Sequence, residues 1–104
     1  MKKAIFPGSF DPFTNGHKDI VDQALNVFDE IIIAVGKNSS KSYMFSLKER
    51  ISFIKKSLEA NSNVTIESYS NLTINFCESQ NINFLIRGLR NVNDFVFEKD
   101  TKDI

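Results

Sequence analysis

Residues 31–35 read Ile-Ile-Ile-Ala-Val, and this run constrains the fold more than any other segment. A continuous β-branched run of this length is typical of a strand buried on both faces of a parallel sheet. Shorter apolar runs predict three more strands, at residues 4–6, 64–66 and 84–86. Because parallel strands need long crossover connections, helices are expected between them.

Apolar residues recur at helical spacing in two of these connections. The first set comprises Ile20, Val21, Ala24, Leu25 and Phe28, and the second comprises Leu47, Ile51, Ile54 and Leu58. Ser46 and Glu49 fit a capping box at the start of the second helix. A short helix is predicted over residues 72–78, and Asp94 is predicted to cap a last helix that begins at Phe95. This β-α-β-α-β-α-β-α order predicts an α/β fold, a doubly wound parallel sheet with helices on both faces.

The composition excludes several classes of protein function. The 104 residues form a single domain over 1–104, and 13 basic residues balance 13 acidic ones. Because nucleic-acid and membrane-surface binders normally carry a basic excess, we expect neither kind of partner. The single cysteine, Cys77, excludes an intrachain disulfide and a multi-cysteine zinc site. No apolar run approaches the roughly 20 residues of a membrane helix, so a cytoplasmic protein is expected.

Residues 7–17 join the first strand to the first helix, where ligands of such sheets bind. A helix N-terminus offers free N–H groups and a positive dipole end, which favour a phosphate. Gly8 allows close approach of the backbone to a ligand, and the helix dipole should favour a neutral imidazole at His17. The alternative is an ordinary strand–helix connection with a surface or capping histidine. The chain contains neither Gly-Lys-Ser/Thr nor Gly-x-Gly-x-x-Gly, the two commonest nucleotide fingerprints.

Residues 8–12 (Gly-Ser-Phe-Asp-Pro) and 14–17 (Thr-Asn-Gly-His) resemble the signature of the nucleotidylyltransferase superfamily. Residues 87–90 (Arg-Gly-Leu-Arg), with the later Asp94, Phe95 and Glu98, resemble one family within it, phosphopantetheine adenylyltransferase. Lys41, Met44, Phe45, Glu49 and Arg50 match as well, and the resemblance runs from Lys3 to Glu98.

The resemblance implies a Rossmann-like nucleotidylyltransferase fold and the fourth step of coenzyme A synthesis. The phosphate of 4′-phosphopantetheine would attack the α-phosphorus of ATP directly and give dephospho-coenzyme A and pyrophosphate. Magnesium would arrive with ATP, no residue is expected to bind a metal, and the family forms homohexamers. Two alternatives stay open. One is another small nucleotidylyltransferase that uses cytidine or nicotinamide nucleotides, and the other is a non-catalytic nucleotide-binding module.

The resemblance also implies roles for individual residues. The catalytic residues would be His17, Lys41 and Arg90. The acceptor would be bound by Ser9, Lys41, Thr73 and Arg87. ATP would be bound by Ser9, Phe10, His17, Gly88, Leu89, Arg90 and Glu98.

Simpler interpretations compete with some of these roles. Lys41 alone could be a surface lysine, and Arg87 and Arg90 could pair with Asp94 or Glu98. Asp11 is expected to form the turn rather than bind a ligand. Arg50 is expected to face outward as an ordinary surface charge.

The family's chain continues beyond Ile104 with a further strand and a Ser/Thr-rich loop that helps to bind ATP. We therefore expect this chain to be truncated, with residues 84–86 as an open sheet edge that invites pairing with another chain. Aggregation, weak ATP binding, little turnover and loss of the hexamer are the expected consequences.

Overall fold

The computed structural model describes residues 2–37, 42–70, 82, 84–86 and 95–96. The strands are β1 (Lys3–Gly8), β2 (Glu30–Gly36), β3 (Val64–Tyr69), β4 (Phe84–Ile86) and β5 (Phe95–Val96). The helices in this part of the chain are α1 (Asn15–Ala24) and α2 (Leu47–Ser57). The four strands and two helices predicted from hydrophobic spacing are confirmed, while the predicted helix over 72–78 lies outside the described residues.

The strands form one sheet in the order β3-β2-β1-β4-β5. β1 runs parallel to β2 on one side, with Ile5 opposite Ile32, and parallel to β4 on the other, with Ile5 opposite Leu85. β3 extends the parallel sheet beyond β2. The direction of winding therefore reverses at β1, and this switch point is where doubly wound sheets bind their ligands.

The two faces of the sheet carry separate apolar clusters. One cluster joins β1 and β2 to both described helices through Phe6, Ile33, Val21 and Ile54. The other comprises Ile5, Ile32, Ala34, Ile82 and Leu85. The central run of β2 is buried on both faces, as its composition predicts.

The prediction for the end of the chain is wrong in one respect. Phe95 and Val96 do not begin a helix but form β5, which pairs antiparallel with β4 through Leu85–Val96 and Ile86–Phe95. Unpaired N–H and C=O groups of β4 favour a partner strand, and this tertiary interaction outweighs any helical preference. The expectation that residues 84–86 form an open edge is therefore wrong at Leu85 and Ile86, which pair with β5. Aggregation of the chain stays a prediction.

Both helices begin with a capping box. The Ser46 hydroxyl accepts a hydrogen bond from the Glu49 amide at 3.1 Å, and the Glu49 carboxylate accepts one from the Ser46 amide at 3.0 Å. At α1, Thr14 is the N-cap and His17 takes the place that glutamate holds in α2. Neither helix has the length and apolar character needed to cross a bilayer, a finding that concerns the described part of the chain.

The capping box of α2 yields a stability prediction. Ser46→Ala leaves the Glu49 amide without its side-chain acceptor and should lower the free energy of unfolding by about 1 kcal/mol. In a domain of this size, that loss lowers the melting temperature by about 4–8 °C. Ser52→Ala, within the same helix, is the control and should not destabilise, because alanine favours helix interiors. Equal melting temperatures for Ser46→Ala and the unaltered chain would contradict the prediction.

Candidate functional site

The loop between β1 and α1 folds around Phe10. The backbone of Phe10 has a φ of 49°, which is strained for a bulky residue, and the Phe10 side chain is only 3% exposed. The Phe10 ring meets Phe6 edge-on with a centroid distance of 5.2 Å and lies 5.7 Å from Phe13. A Cβ atom on Gly8 would lie 3.1 Å from this ring. The close neighbour of Gly8 is thus the Phe10 ring, whose packing holds the strained loop in place.

His17 is fixed by the start of α1. The amide of Thr14 donates to Nδ1 of His17 at 2.9 Å, and the Thr14 hydroxyl accepts from the His17 amide at 3.3 Å. An Nδ1 that accepts a hydrogen bond has no proton, so this network assigns the proton of the neutral ring to Nε2. The capping and functional interpretations of His17 are compatible, because the cap uses Nδ1 and leaves Nε2 as a donor.

Aromatic rings surround the His17 imidazole. Phe13 stacks on it with a centroid distance of 5.5 Å, and Phe10 meets it edge-on at 5.1 Å. This burial lowers the pKa of His17 from its ordinary value of 6.5. The expected neutral imidazole is thus supported, although burial rather than the helix dipole is the cause found.

Asp11 has the structural role that was expected, and it acts over a long sequence distance. Its carboxylate accepts hydrogen bonds from the amides of Met44 at 2.5 Å and Phe45 at 2.7 Å. Charge-assisted bonds of this kind are stronger than bonds between neutral groups. Asp11 therefore ties the β1–α1 loop to the segment that precedes α2.

Arg50 contradicts the expectation of an ordinary surface charge, since it is only 1% exposed. Its Nη1 donates to the carbonyl oxygens of Ser9 and Gly36, both at 2.8 Å. Its Nε donates to the carbonyl oxygen of Phe45 at 3.1 Å, and its Cζ lies 3.9 Å from the centroid of the Tyr43 ring. Arg50 is buried because it lies at the carboxyl ends of β1 and β2, where backbone oxygens replace water.

The predicted site residues that the structure describes are Ser9, Phe10 and His17, and all three lie in or next to the β1–α1 loop. Ser9 is half-buried, and its carbonyl group faces Arg50. The other predicted residues lie outside the described residues: Lys41, Thr73, Arg87, Gly88, Leu89, Arg90 and Glu98. Sequence reasoning missed Arg50 and Tyr43, although Arg50 lies three residues after Leu47 and four before Ile54, on the apolar stripe of α2.

His17 is the only histidine in the chain, so the pH dependence of the free energy of unfolding near pH 6 reports on protonation of its ring. Because burial lowers its folded-state pKa below 6.5, the unfolded chain binds the proton more readily. The contribution of neutral His17 to stability is therefore complete above 6.5 and is lost as the pH falls from there through the folded-state pKa.

Urea unfolding at several pH values between 5 and 8 measures this loss, and ring-proton NMR gives the folded-state pKa directly. In the control variant His17→Asn, an amide oxygen can replace Nδ1 as acceptor for Thr14, and the dependence in this window should largely disappear. A folded-state pKa at or above 6.5 would rule out the predicted burial effect.

Comparison with known proteins gives the family of the chain. The family model described as cytidylyltransferase-like matches residues 5–104. A phosphopantetheine adenylyltransferase from Christiangramia forsetii is 60% identical over 99 residues, which cover 95% of this chain and 66% of the relative. One from Flavobacterium psychrophilum is 54% identical with the same coverage. The chain thus spans slightly less than two thirds of the length of these relatives.

Solved structures share the fold. A bifunctional NMN adenylyltransferase/ADP-ribose pyrophosphatase from Francisella tularensis, complexed with AMP and a manganese ion, matches with a TM-score of 0.57 and 25% identity, covering 76% of this chain and 25% of that one. A putative nicotinate-nucleotide adenylyltransferase from Vibrio parahaemolyticus matches with a TM-score of 0.61 and 21% identity, covering 84% and 56%. With its strand order, its β1–α1 loop and these matches, the chain belongs to the cytidylyltransferase-like family, and its curated relatives are phosphopantetheine adenylyltransferases.

Proposed function

We propose that the protein transfers the adenylyl group of ATP to 4′-phosphopantetheine, giving dephospho-coenzyme A and pyrophosphate. The observation that carries the proposal is the placement of His17. Its Nε2–H is a neutral donor at the N-terminus of α1, beyond the carboxyl end of β1, in a chain 60% identical to a phosphopantetheine adenylyltransferase. A helix N-terminus and a neutral N–H donor both favour a phosphate oxygen.

In this proposal, His17 donates its Nε2 proton in a hydrogen bond to an oxygen of the α-phosphate. An oxygen of the acceptor phosphate attacks the α-phosphorus, a new P–O bond forms, and the bond to the departing pyrophosphate breaks. Charge develops on the α-phosphate oxygens during this exchange. A donor already held by Thr14 and Phe13 needs no reorganisation at that moment, which is how preorganised donors accelerate reactions.

The remaining residues of the proposed site follow the resemblance. Lys41 and Arg90 would stabilise the polyphosphate, and Thr73 and Arg87 would bind the acceptor. Gly88, Leu89 and Glu98 would contact ATP together with Ser9 and the backbone of Phe10, whose ring is buried. Lysine follows moving charge as a flexible point charge, whereas arginine grips phosphate oxygens with two parallel N–H groups.

Magnesium enters this proposal as part of the substrate, bound to ATP. In the part of the chain that the structure describes, no three His, Cys, Asp or Glu side chains are grouped so that they could hold a metal ion. A cytoplasmic location belongs to the same proposal.

Pyrophosphate release in the presence of MgATP, and in parallel of MgCTP, tests the function against its alternatives. We expect release with 4′-phosphopantetheine and much less with nicotinate mononucleotide, nicotinamide mononucleotide or phosphocholine. Preference for a different acceptor would replace the proposal by another nucleotidylyl transfer. ATP binding without pyrophosphate release from any acceptor would favour the non-catalytic module.

Two His17 variants separate catalysis from capping. His17→Asn can keep an acceptor for the Thr14 amide but places no donor at the position of Nε2, while His17→Ala removes both. Loss of a preorganised donor should lower kcat by about 10²–10³-fold in both variants. Only His17→Ala should also lower the melting temperature noticeably, since it alone leaves the Thr14 amide without its side-chain acceptor. Near-normal kcat in either variant would remove His17 from the catalytic site.

A further inference from the structure

We propose that Arg50 is the positioning residue of the candidate site, acting together with Asp11 as a clamp on the backbone around it. The clamp is defined as the Arg50 guanidinium, the Asp11 carboxylate and residues 43–45 between them. The kinetic consequences of this proposal rest on the proposed function, whereas the hydrogen bonds of the clamp do not. Arg50 is only 1% exposed, so its effect on the site must pass through the groups that it holds.

The first observation is that Arg50 joins three separate segments. One nitrogen, Nη1, donates to Ser9 at the end of β1 and to Gly36 at the end of β2, each at 2.8 Å. Another, Nε, donates to Phe45 just before α2, at 3.1 Å. A planar guanidinium has its donors in a fixed geometry, so these carbonyl groups are held in fixed relation to one another.

The second observation is that Asp11 binds the same segment of residues 43–45. Its carboxylate accepts from the amides of Met44 and Phe45, while Arg50 binds the Phe45 carbonyl and packs over the Tyr43 ring. Both peptide groups of Phe45 are therefore tied to charged side chains.

The third observation concerns burial. Among the described residues, every hydrogen bond of the Arg50 guanidinium ends on a backbone carbonyl oxygen, and none ends on a carboxylate. Burying a charge in this way is unfavourable, and apolar side chains of similar volume often stabilise a protein as well or better. The arrangement is better explained by the geometry that it fixes than by the stability that it contributes.

The clamp is connected to His17 through the β1–α1 loop. Arg50 holds the carbonyl of Ser9, the next residue is the strained Phe10, and the Phe10 ring packs edge-on against the imidazole of His17. The segment of residues 43–45 also follows the connection that contains Lys41. Loss of the guanidinium should therefore displace the β1–α1 loop without removing any residue that is proposed to contact substrate.

The test compares Arg50→Lys with Ile54→Ala, a matched control whose altered residue is fully buried one turn later on α2. Lysine keeps the charge but cannot hold three carbonyl groups in a fixed geometry. Both variants are assayed well below their melting temperatures, so that each is folded. We expect kcat for adenylyl transfer to fall by about 10–100-fold in Arg50→Lys, with a much smaller change in the KM for MgATP, and to stay near normal in Ile54→Ala.

Amide hydrogen exchange supplies a readout that does not depend on activity. In Arg50→Lys and in Asp11→Asn, the amides of Met44 and Phe45 should exchange about 10-fold faster or more, whereas Ile54→Ala should leave them close to normal. Faster exchange together with the kcat loss supports the proposal. Unchanged exchange at Met44 and Phe45, or equal kcat in Arg50→Lys and Ile54→Ala, overturns it. Absence of transfer activity in the unaltered chain would instead count against the proposed function. The amide exchange rates of Met44 and Phe45 would then test the clamp on their own.

Discussion

The parallel pairing of β1 with β2 is the constraint on which the rest of the structure depends. It aligns six residues of each strand, from Lys3 opposite Glu30 to Gly8 opposite Val35. A parallel strand cannot be reached by a short turn, so this pairing requires α1 as a crossover and brings the carboxyl ends of both strands to one edge. The β1–α1 loop and the carboxyl end of β2 are brought together by that single register.

The edge of the sheet presents backbone carbonyl groups, and the structure shows how two of them are satisfied. Arg50 reaches across from α2 and binds the carbonyls of Ser9 and Gly36. Asp11 holds the same loop through a hydrogen bond from the amide of Phe45, and Phe10 holds it through aromatic packing on Phe6. The imidazole of His17 is thus supported by a network whose members come from β1, β2, α1 and α2. Rigid support of this kind is what a preorganised donor requires.

Much of this arrangement could be predicted from the sequence, because burial on both faces leaves a clear hydrophobic pattern. The strands at residues 31–35 and 84–86 and the cap at Ser46 follow from local composition. Residues 95–96 did not, since their pairing with β4 depends on a free edge that only the folded sheet provides. Arg50 departs from the sequence prediction because a charged side chain is ordinarily exposed, whereas here backbone carbonyl groups from two strands bind it in the interior. The strained backbone at Phe10 left no local signal, because its stability depends on rings brought together by the fold.

The most direct test of the account is the protonation of the two His17 ring nitrogens, measured by NMR on histidine labelled with ¹⁵N. The account predicts a neutral ring at pH 7 with its proton on Nε2 and an unprotonated Nδ1 that accepts from Thr14. Addition of MgATP should then shift the Nε2 resonance strongly and the Nδ1 resonance much less. A proton on Nδ1, a charged ring at pH 7, or an Nε2 signal indifferent to saturating MgATP would contradict the claim that this loop presents His17 to a phosphate.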